Sequence, residues 1–468
     1  MLIKDRGRAG RRGYRLPEFD VERVGLEDVI PERHLRREKP DLPEVDEPAV
    51  IRHYTNLSRK NWGIDTNFYP LGSCTMKHNP RANEEAAKIP GFATLHPLQP
   101  EEQVQGALEV MHDLQGYLSE ISGLPAVSLQ PAAGAHGELT SILMVARYFE
   151  EVGDESRTTV LVPSTAHGTN PATATMAGFK AKEIGLDERG CVEVEELRAA
   201  VDETTAALMI TNPNTLGVYE QNIEEISEIL HDAGAFLYMD GANVNAIMGR
   251  MRPAEAGVDV MHFNLHKTFS TPHGGGGPGC GAIACSEALA PFRPDPVVEK
   301  AGDAYRLARP EKSIGRIMGF HGNFGVMVRA WNYIRMHGPE LKDVTDMAVL
   351  NANYVRARIR EKYRIPYDTL CKHEFTAQPP KGKRALDIAK GLIDRGFHPP
   401  TIYFPLVVKE AMLIEPTETE PKETLDAFVD ALLELAEADP GELEEAPERA
   451  FTRRLDETRA ARQLVARW

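Results

Sequence analysis

The chain has 468 residues, 42% hydrophobic and 26% charged, an ordinary balance for two or three globular domains around a large core. A formal net charge of −16 argues against a nucleic-acid-binding surface over the molecule as a whole. Five scattered cysteines form no C-x-x-C pair and no apolar run reaches membrane-spanning length, so a cytoplasmic, reducing setting is expected, with no membrane span, secretory signal or disulfide framework.

The first 90 residues read as an extended N-terminal arm. "KDRGRAGRRGYRLPEFD" is basic and glycine-rich, and prolines recur at 17, 31, 40, 43, 48, 70, 80 and 90. Such a run is either a solvated arm or one that docks on a partner subunit. From residue 101, "EEQVQGALEVMHDLQGYLSEISG" has helical spacing and stops at Gly123. Apolar runs then alternate with helical stretches: "TTVLVPS" (158–164), "AALMITN" (206–212), "AFLYMDG" (235–241) and "VDVMHFNL" (258–265), with "VEELRAAVDE" and "NIEEISEILHDAG" between them. That alternation predicts an α/β domain over 91–335, a mostly parallel sheet covered on both faces. "FHGNFGVMVRAWNYIRMHG" predicts a long helix leading out of it, and the mixed order that follows predicts a smaller α+β domain over 336–468.

Ligands of open α/β sheets bind at the carboxyl ends of the strands. Here those ends carry "STAHGTN", "TNPNTLG", "DGAN" and "HK", so one site can collect all four. Lys267, Asp240 and His167 each have an ordinary reading when taken alone, as a surface charge, a turn cap or a structural imidazole. Together they meet the needs of pyridoxal 5'-phosphate: an amine for a Schiff base, a carboxylate to keep the ring nitrogen protonated, and a flat imidazole to cover one face and move protons. His266, beside the lysine, joins the expected cofactor-binding set. Gly134 and Ala135 precede the amphipathic stretch of "PAAGAHGELTSILMVARYF", a turn suited to a phosphate, and Asn212 is placed to hydrogen-bond the phenolic oxygen.

Gly274, Gly276 and Gly279 also fit the dinucleotide pattern G-x-G-x-x-G. Pro278 interrupts it and "CGAIAC" reads as a strand where a fingerprint would open a helix. These glycines are expected to let backbone pass close to the cofactor or to a neighbouring subunit. No metal motif such as H-E-x-x-H occurs. Ser73 and Cys74 are further candidates for the site wall, with Cys74 either a reactive thiol or a small buried residue.

Six stretches, "NFYPLGSCTMKHNP", "QPAAGAHGE", "STAHGTNPA", "ITNPNTLG", "MDGANVNA" and "NLHKTFSTPHGGGGPG", resemble the glycine cleavage system P-protein family, the glycine dehydrogenases (decarboxylating). The resemblance is to the C-terminal half of the single-chain form, called subunit 2 where the enzyme is split. It implies the type I pyridoxal-phosphate fold, related to aspartate aminotransferase, with Lys267 as the Schiff-base lysine, Asp240 as the pyridinium partner and His167 as the stacking residue. It also implies glycine as substrate, with CO2 released and the aminomethyl group passed to the lipoyl arm of H-protein. Subunit 1 is the implied partner, in an α2β2 heterotetramer.

Overall fold

The computed structural model describes residues 2–274, 277 and 279–465, so Gly276 and Pro278 of the rejected dinucleotide pattern lie outside the described residues. The chain divides after Gly63 into two compact units. In the first, the main element is the helix Glu47–Ser58, whose start is fixed by Pro48 in its first turn and by Asp46, which accepts the Ala49 N–H at 2.8 Å. Many of this unit's large apolar side chains, among them Tyr14, Leu16, Phe19, Val21 and Val24, are exposed.

The second unit begins at Ile64, so residues 64–90 group with it and not with the arm. It is built on seven strands: β1 Ala126–Ser128, β2 Thr159–Pro163, β3 Lys180–Ile184, β4 Thr205–Thr211, β5 Phe236–Gly241, β6 Val260–Phe263 and β7 Ile283–Cys285. Their order is β1-β7-β6-β5-β4-β2-β3. The run β3-β2-β4-β5-β6 is parallel, and β7 pairs antiparallel with both β6 and β1. Every residue of β4 and β5 is buried because successive side chains feed two different cores. Leu208, Ile210, Leu237 and Met239 join one core, and Ala207, Met209, Phe236 and Tyr238 join the other. β3, "KAKEI", is an edge strand with four exposed side chains, which is why its hydrophobicity does not announce it.

The expected helices form at Gln105–Ser122, Gly134–Val152, Ile223–Asp232 and Phe324–His337. Gly123 ends the first in the left-handed conformation, at φ 75°. Further along, β10 Phe375–Ala377, β12 Met412–Ile414 and β11 Thr401–Ile402 make a three-stranded antiparallel sheet, while β8 Val297–Ala301 and β9 Ala304–Ala308 form a separate hairpin. The helices Leu341–Ile359, Ala385–Asp394 and Lys422–Glu437 cover the three-stranded sheet around a core of their own. Phe68 is part of that core and meets Phe428 edge to face at 5.1 Å. "TIYFPLVV" yields only two strand residues, since Tyr403 turns to φ 61° and Pro405 follows.

Candidate active site

At the carboxyl edge of the sheet, the segments after β2, β4, β5 and β6 and the start of helix Gly134–Val152 enclose a cleft of about 200 Å³. Lys267, Asp240, His167, Gly134, Ala135 and His266, six of the seven residues expected from the sequence, line it. Asn212 does not. Its side-chain oxygen accepts the Glu220 N–H at 3.0 Å and braces the loop after β4, while Thr211, Thr215 and Asn243 reach the cleft from that side.

Asp240 is buried at the end of β5, where an apolar strand carries it to the sheet edge. Its Oδ1 accepts the Ala242 N–H at 2.9 Å and stands 3.5 Å from His262 Nε2. The opposite ring nitrogen of His262 bonds the Tyr238 hydroxyl at 2.6 Å. Burial, and then the negative charges of Asp240 and Glu138, push the Tyr238 hydroxyl well above its ordinary pKa, so it stays a phenol.

Glu138, which sequence reading passed over, ties the site together. Its Oε1 accepts the Thr169 hydroxyl at 2.8 Å and its Oε2 accepts the Asn170 amide at 2.8 Å; that amide also lies 3.4 Å from Asp240 Oδ2. His167 Nδ1 is 2.8 Å from Thr169 Oγ1. The single Thr169 hydroxyl proton goes to the carboxylate, so His167 Nδ1 is the donor in that pair. Thr169 N also approaches Nδ1, at 3.3 Å, a contact that would need Nδ1 as acceptor. The shorter contact decides the tautomer. One buried carboxylate therefore orients both His167 and, through Asn170, Asp240.

Lys267 follows β6 in a short helical turn, Leu265–Thr268, and its amine forms no hydrogen bond or ion pair with the described residues. Beside it, the His266 ring accepts the Cys280 N–H at 3.2 Å. Burial, with the Lys267 charge second, lowers the His266 pKa to about 3, so the ring is neutral. Cys74 is half-buried, and burial raises its thiol to about 11.

Two glycines outside the glycine-rich run, Gly281 and Gly134, are required by close packing within this chain. Gly281 donates to Pro131 O at 2.9 Å, and a Cβ at Gly281 would collide with the Ala133 carbonyl. A Cβ at Gly134 would likewise strike the Asn264 side chain.

Residues 344–450 match the family described as glycine dehydrogenase, C-terminal domain, and residues 136–294 match aminotransferase class-V. A "Probable glycine dehydrogenase (decarboxylating) subunit 2" of Alkaliphilus oremlandii is 53% identical over 476 residues, covering 100% of this chain and 98% of the relative. One of the same description from Bacillus cereus is 54% identical over 477 residues, covering 100% and 97%. The chain belongs to the glycine dehydrogenase (decarboxylating) subunit 2 family.

Among solved structures, a glycine decarboxylase (P-protein) of the glycine cleavage system, in inhibitor-bound form, aligns with a TM-score of 0.76 at 24% identity, covering 88% of this chain and 95% of that one. A cysteine desulfurase from Thermococcus onnurineus NA1 aligns with a TM-score of 0.63 at 14% identity, covering 80% and 95%. The fold is that of the type I pyridoxal-phosphate enzymes, and the family's enzymes depend on pyridoxal 5'-phosphate. The cleft fits that group. His262 Nε2, Asn264 Oδ1, Asn170 Oδ1 and Thr211 Oγ1 are buried polar atoms around it with no hydrogen-bond partner among the described residues. The first turn of helix Gly134–Val152 carries no acidic side chain to oppose a phosphate.

Proposed function

We propose that this chain holds pyridoxal 5'-phosphate through Lys267, decarboxylates glycine with release of CO2, and passes the aminomethyl group to the lipoyl arm of H-protein. The observation that carries the reading is the meeting of a Lys267 amine unpartnered among the described residues with Asp240 and His167, in one cleft of a chain of this family. When bound, the cofactor supplies an electron sink for the bonding pair that remains as the carboxyl group departs. Lys267 Nζ would attach it covalently. Asp240 would keep a proton on its ring nitrogen, and its burial strengthens that charge interaction.

His167, fixed through Thr169, would cover one face and present Nε2 for proton movement. The first-turn N–H groups at Gly134 and Ala135 would receive the phosphate. Among the described residues lining the cleft there is no arginine, so with Lys267 committed to the cofactor a substrate carboxylate would meet only neutral donors there. A carboxylate held weakly in the ground state is easier to lose.

The family's description as subunit 2 supports a partner subunit, and we assign the assembly as α2β2 with subunit 1. The exposed apolar side chains of residues 2–63 support a role for the arm in covering that partner. We place the start of the small domain near residue 336, supported by the separate core of the C-terminal helices. A cytoplasmic setting is supported by five unpaired cysteines, and no helix among the described residues is long and apolar enough to cross a membrane.

The test is Lys267→Ala. Borohydride reduction of the variant should trap no cofactor, and glycine–bicarbonate exchange with H-protein and subunit 1 should vanish while the melting curve is retained. A variant that still traps the cofactor refutes the assignment.

A further inference from the structure

Of the described residues that line the cleft, all but one come from positions 134–267, the stretch assigned above to the cofactor. The exception is Ser73. It belongs to a turn in which two non-glycine residues take left-handed backbone conformations, Ser73 at φ 64° and Thr75 at φ 51°. Such conformations persist only where the surroundings enforce them, and they concentrate at functional sites.

Here the enforcement comes from two carboxyl groups. Glu374 Oε2 accepts the Ser73 N–H at 2.7 Å. Glu415 accepts the Thr75 N–H at 2.9 Å through Oε2 and the Thr75 hydroxyl at 2.6 Å through Oε1. Both glutamates are fully buried, as is His373, whose Nε2 lies 3.8 Å from Glu374 Oε1 and 3.8 Å from Glu415 Oε1. Gly72 is fixed from the same sheet: its N–H reaches the Leu413 carbonyl at 3.2 Å, and its own carbonyl accepts the Thr401 hydroxyl at 2.8 Å. Just beyond the turn, Lys77 is pinned by Glu418 at 2.7 Å and by the Thr268 carbonyl at 2.8 Å, next to Lys267.

We propose that the Gly72–Thr75 turn seats the amino-acid substrate, with Ser73 in contact with it, and that Glu374 and Glu415 are positioning residues that hold the turn in its strained conformation. This rests on the glycine-cleaving reading above. The cofactor claims the other cleft walls, so the small-domain side is left for the substrate. With no arginine among the described lining residues and Lys267 committed to the cofactor, a neutral donor is left to meet the substrate, and the Ser73 hydroxyl forms no hydrogen bond with the described residues. Lastly, two carboxyl groups buried side by side are a poor way to stabilise a fold, since apolar residues of the same volume would do it better.

The electrostatics agree. Burial first, and Glu415 second, push Glu374 well above the ordinary carboxyl range, so it keeps its proton. Burial also raises Glu415, against the opposing hydrogen bonds from Thr75. Burial and the Lys267 charge take His373 down to about 3, which leaves it neutral. The charges facing the pair are then Lys267 from the end of β6, and Lys77 compensated by Glu418. A neutral Glu374 can be replaced by its amide, whereas losing the side chain frees the Ser73 N–H.

The experiment compares Glu374→Ala with Glu374→Gln in the complex with subunit 1 and lipoylated H-protein. Glu374→Ala should raise the KM for glycine at least about tenfold, as expected for a lost substrate-positioning contact, with cofactor affinity unchanged. Glu374→Gln should restore KM to within about twofold, because its amide oxygen still accepts the Ser73 N–H. An unchanged KM in Glu374→Ala, or a Glu374→Gln no better than the alanine variant, overturns the proposal. If Glu374→Ala does not fold, Ser73→Ala decides the matter by the same criterion. Wild-type enzyme that traps no cofactor at Lys267 defeats the functional reading and this proposal together, while normal trapping with an unmoved KM defeats this proposal alone.

Discussion

Replacing Glu138 tests the buried network under the cleft most directly. The carboxylate is 4% exposed and accepts two hydrogen bonds at 2.8 Å, from Thr169 and from Asn170. Hydrogen bonds to a charged acceptor contribute roughly 1.5–3 kcal/mol each, so removing both in Glu138→Ala forfeits about 3–6 kcal/mol. Relief from burying a charge returns part of this, and a net loss of about 2–4 kcal/mol is expected. Glu138→Gln behaves differently. Its amide oxygen stays on Asn170, and its NH2 donates to Thr169, which turns its own proton toward His167 Nδ1. The imidazole proton must then move to Nε2. The cost is about 1–2 kcal/mol, the charge assistance of the two bonds.

Urea denaturation of both variants measures the stabilities, and the 15N shifts of His167 report the tautomer without any activity readout. Two results would refute the reasoning: a Glu138→Ala variant within about 0.5 kcal/mol of wild type, the range of ordinary surface changes, or a His167 tautomer indifferent to Glu138→Gln.

Asp240→Asn should keep the borohydride-trappable cofactor yet lose at least about tenfold in glycine exchange, since each unit by which the ring nitrogen's pKa falls is worth about 1.4 kcal/mol. Near-normal exchange in that variant would assign the charge to another group. Away from the site, the His231–Asp259 pair at 2.8 Å raises the His231 pKa above its ordinary 6.5, chiefly through the hydrogen bond to Asp259. A raised folded-state pKa gives stability that is complete below pH 6.5 and is lost as pH climbs through the higher value. Because the His231 side chain is 43% exposed, the loss should stay under about 1 kcal/mol, and it should disappear in His231→Asn when unfolding is measured on both sides of that window.

The four strand ends were legible because each follows an apolar run that breaks on polar residues. "FLYMD" and "VMHFNLHK" deliver Asp240 and Lys267 to the same sheet edge by strand length and parallel order alone. β3 escaped notice because an edge strand exposes its side chains and carries lysine. Asn212 stands outside the cleft lining with its side-chain oxygen turned to the loop's own backbone, and a sequence does not say which polar atoms are spent locally. Glu138 looks like any glutamate in a helix's first turns, and Glu374 and Glu415 look like surface acids beside short strands. Glu374 and Glu415 meet segments hundreds of residues away, Ser73 with Glu374 and Thr75 with Glu415. Local pattern carries the periodicity that builds strands and helices, together with the residue types a cofactor needs. Which carboxyl groups are cut off from water, and which backbone N–H groups they hold, depends on long-range packing, and that was decided only in the folded chain.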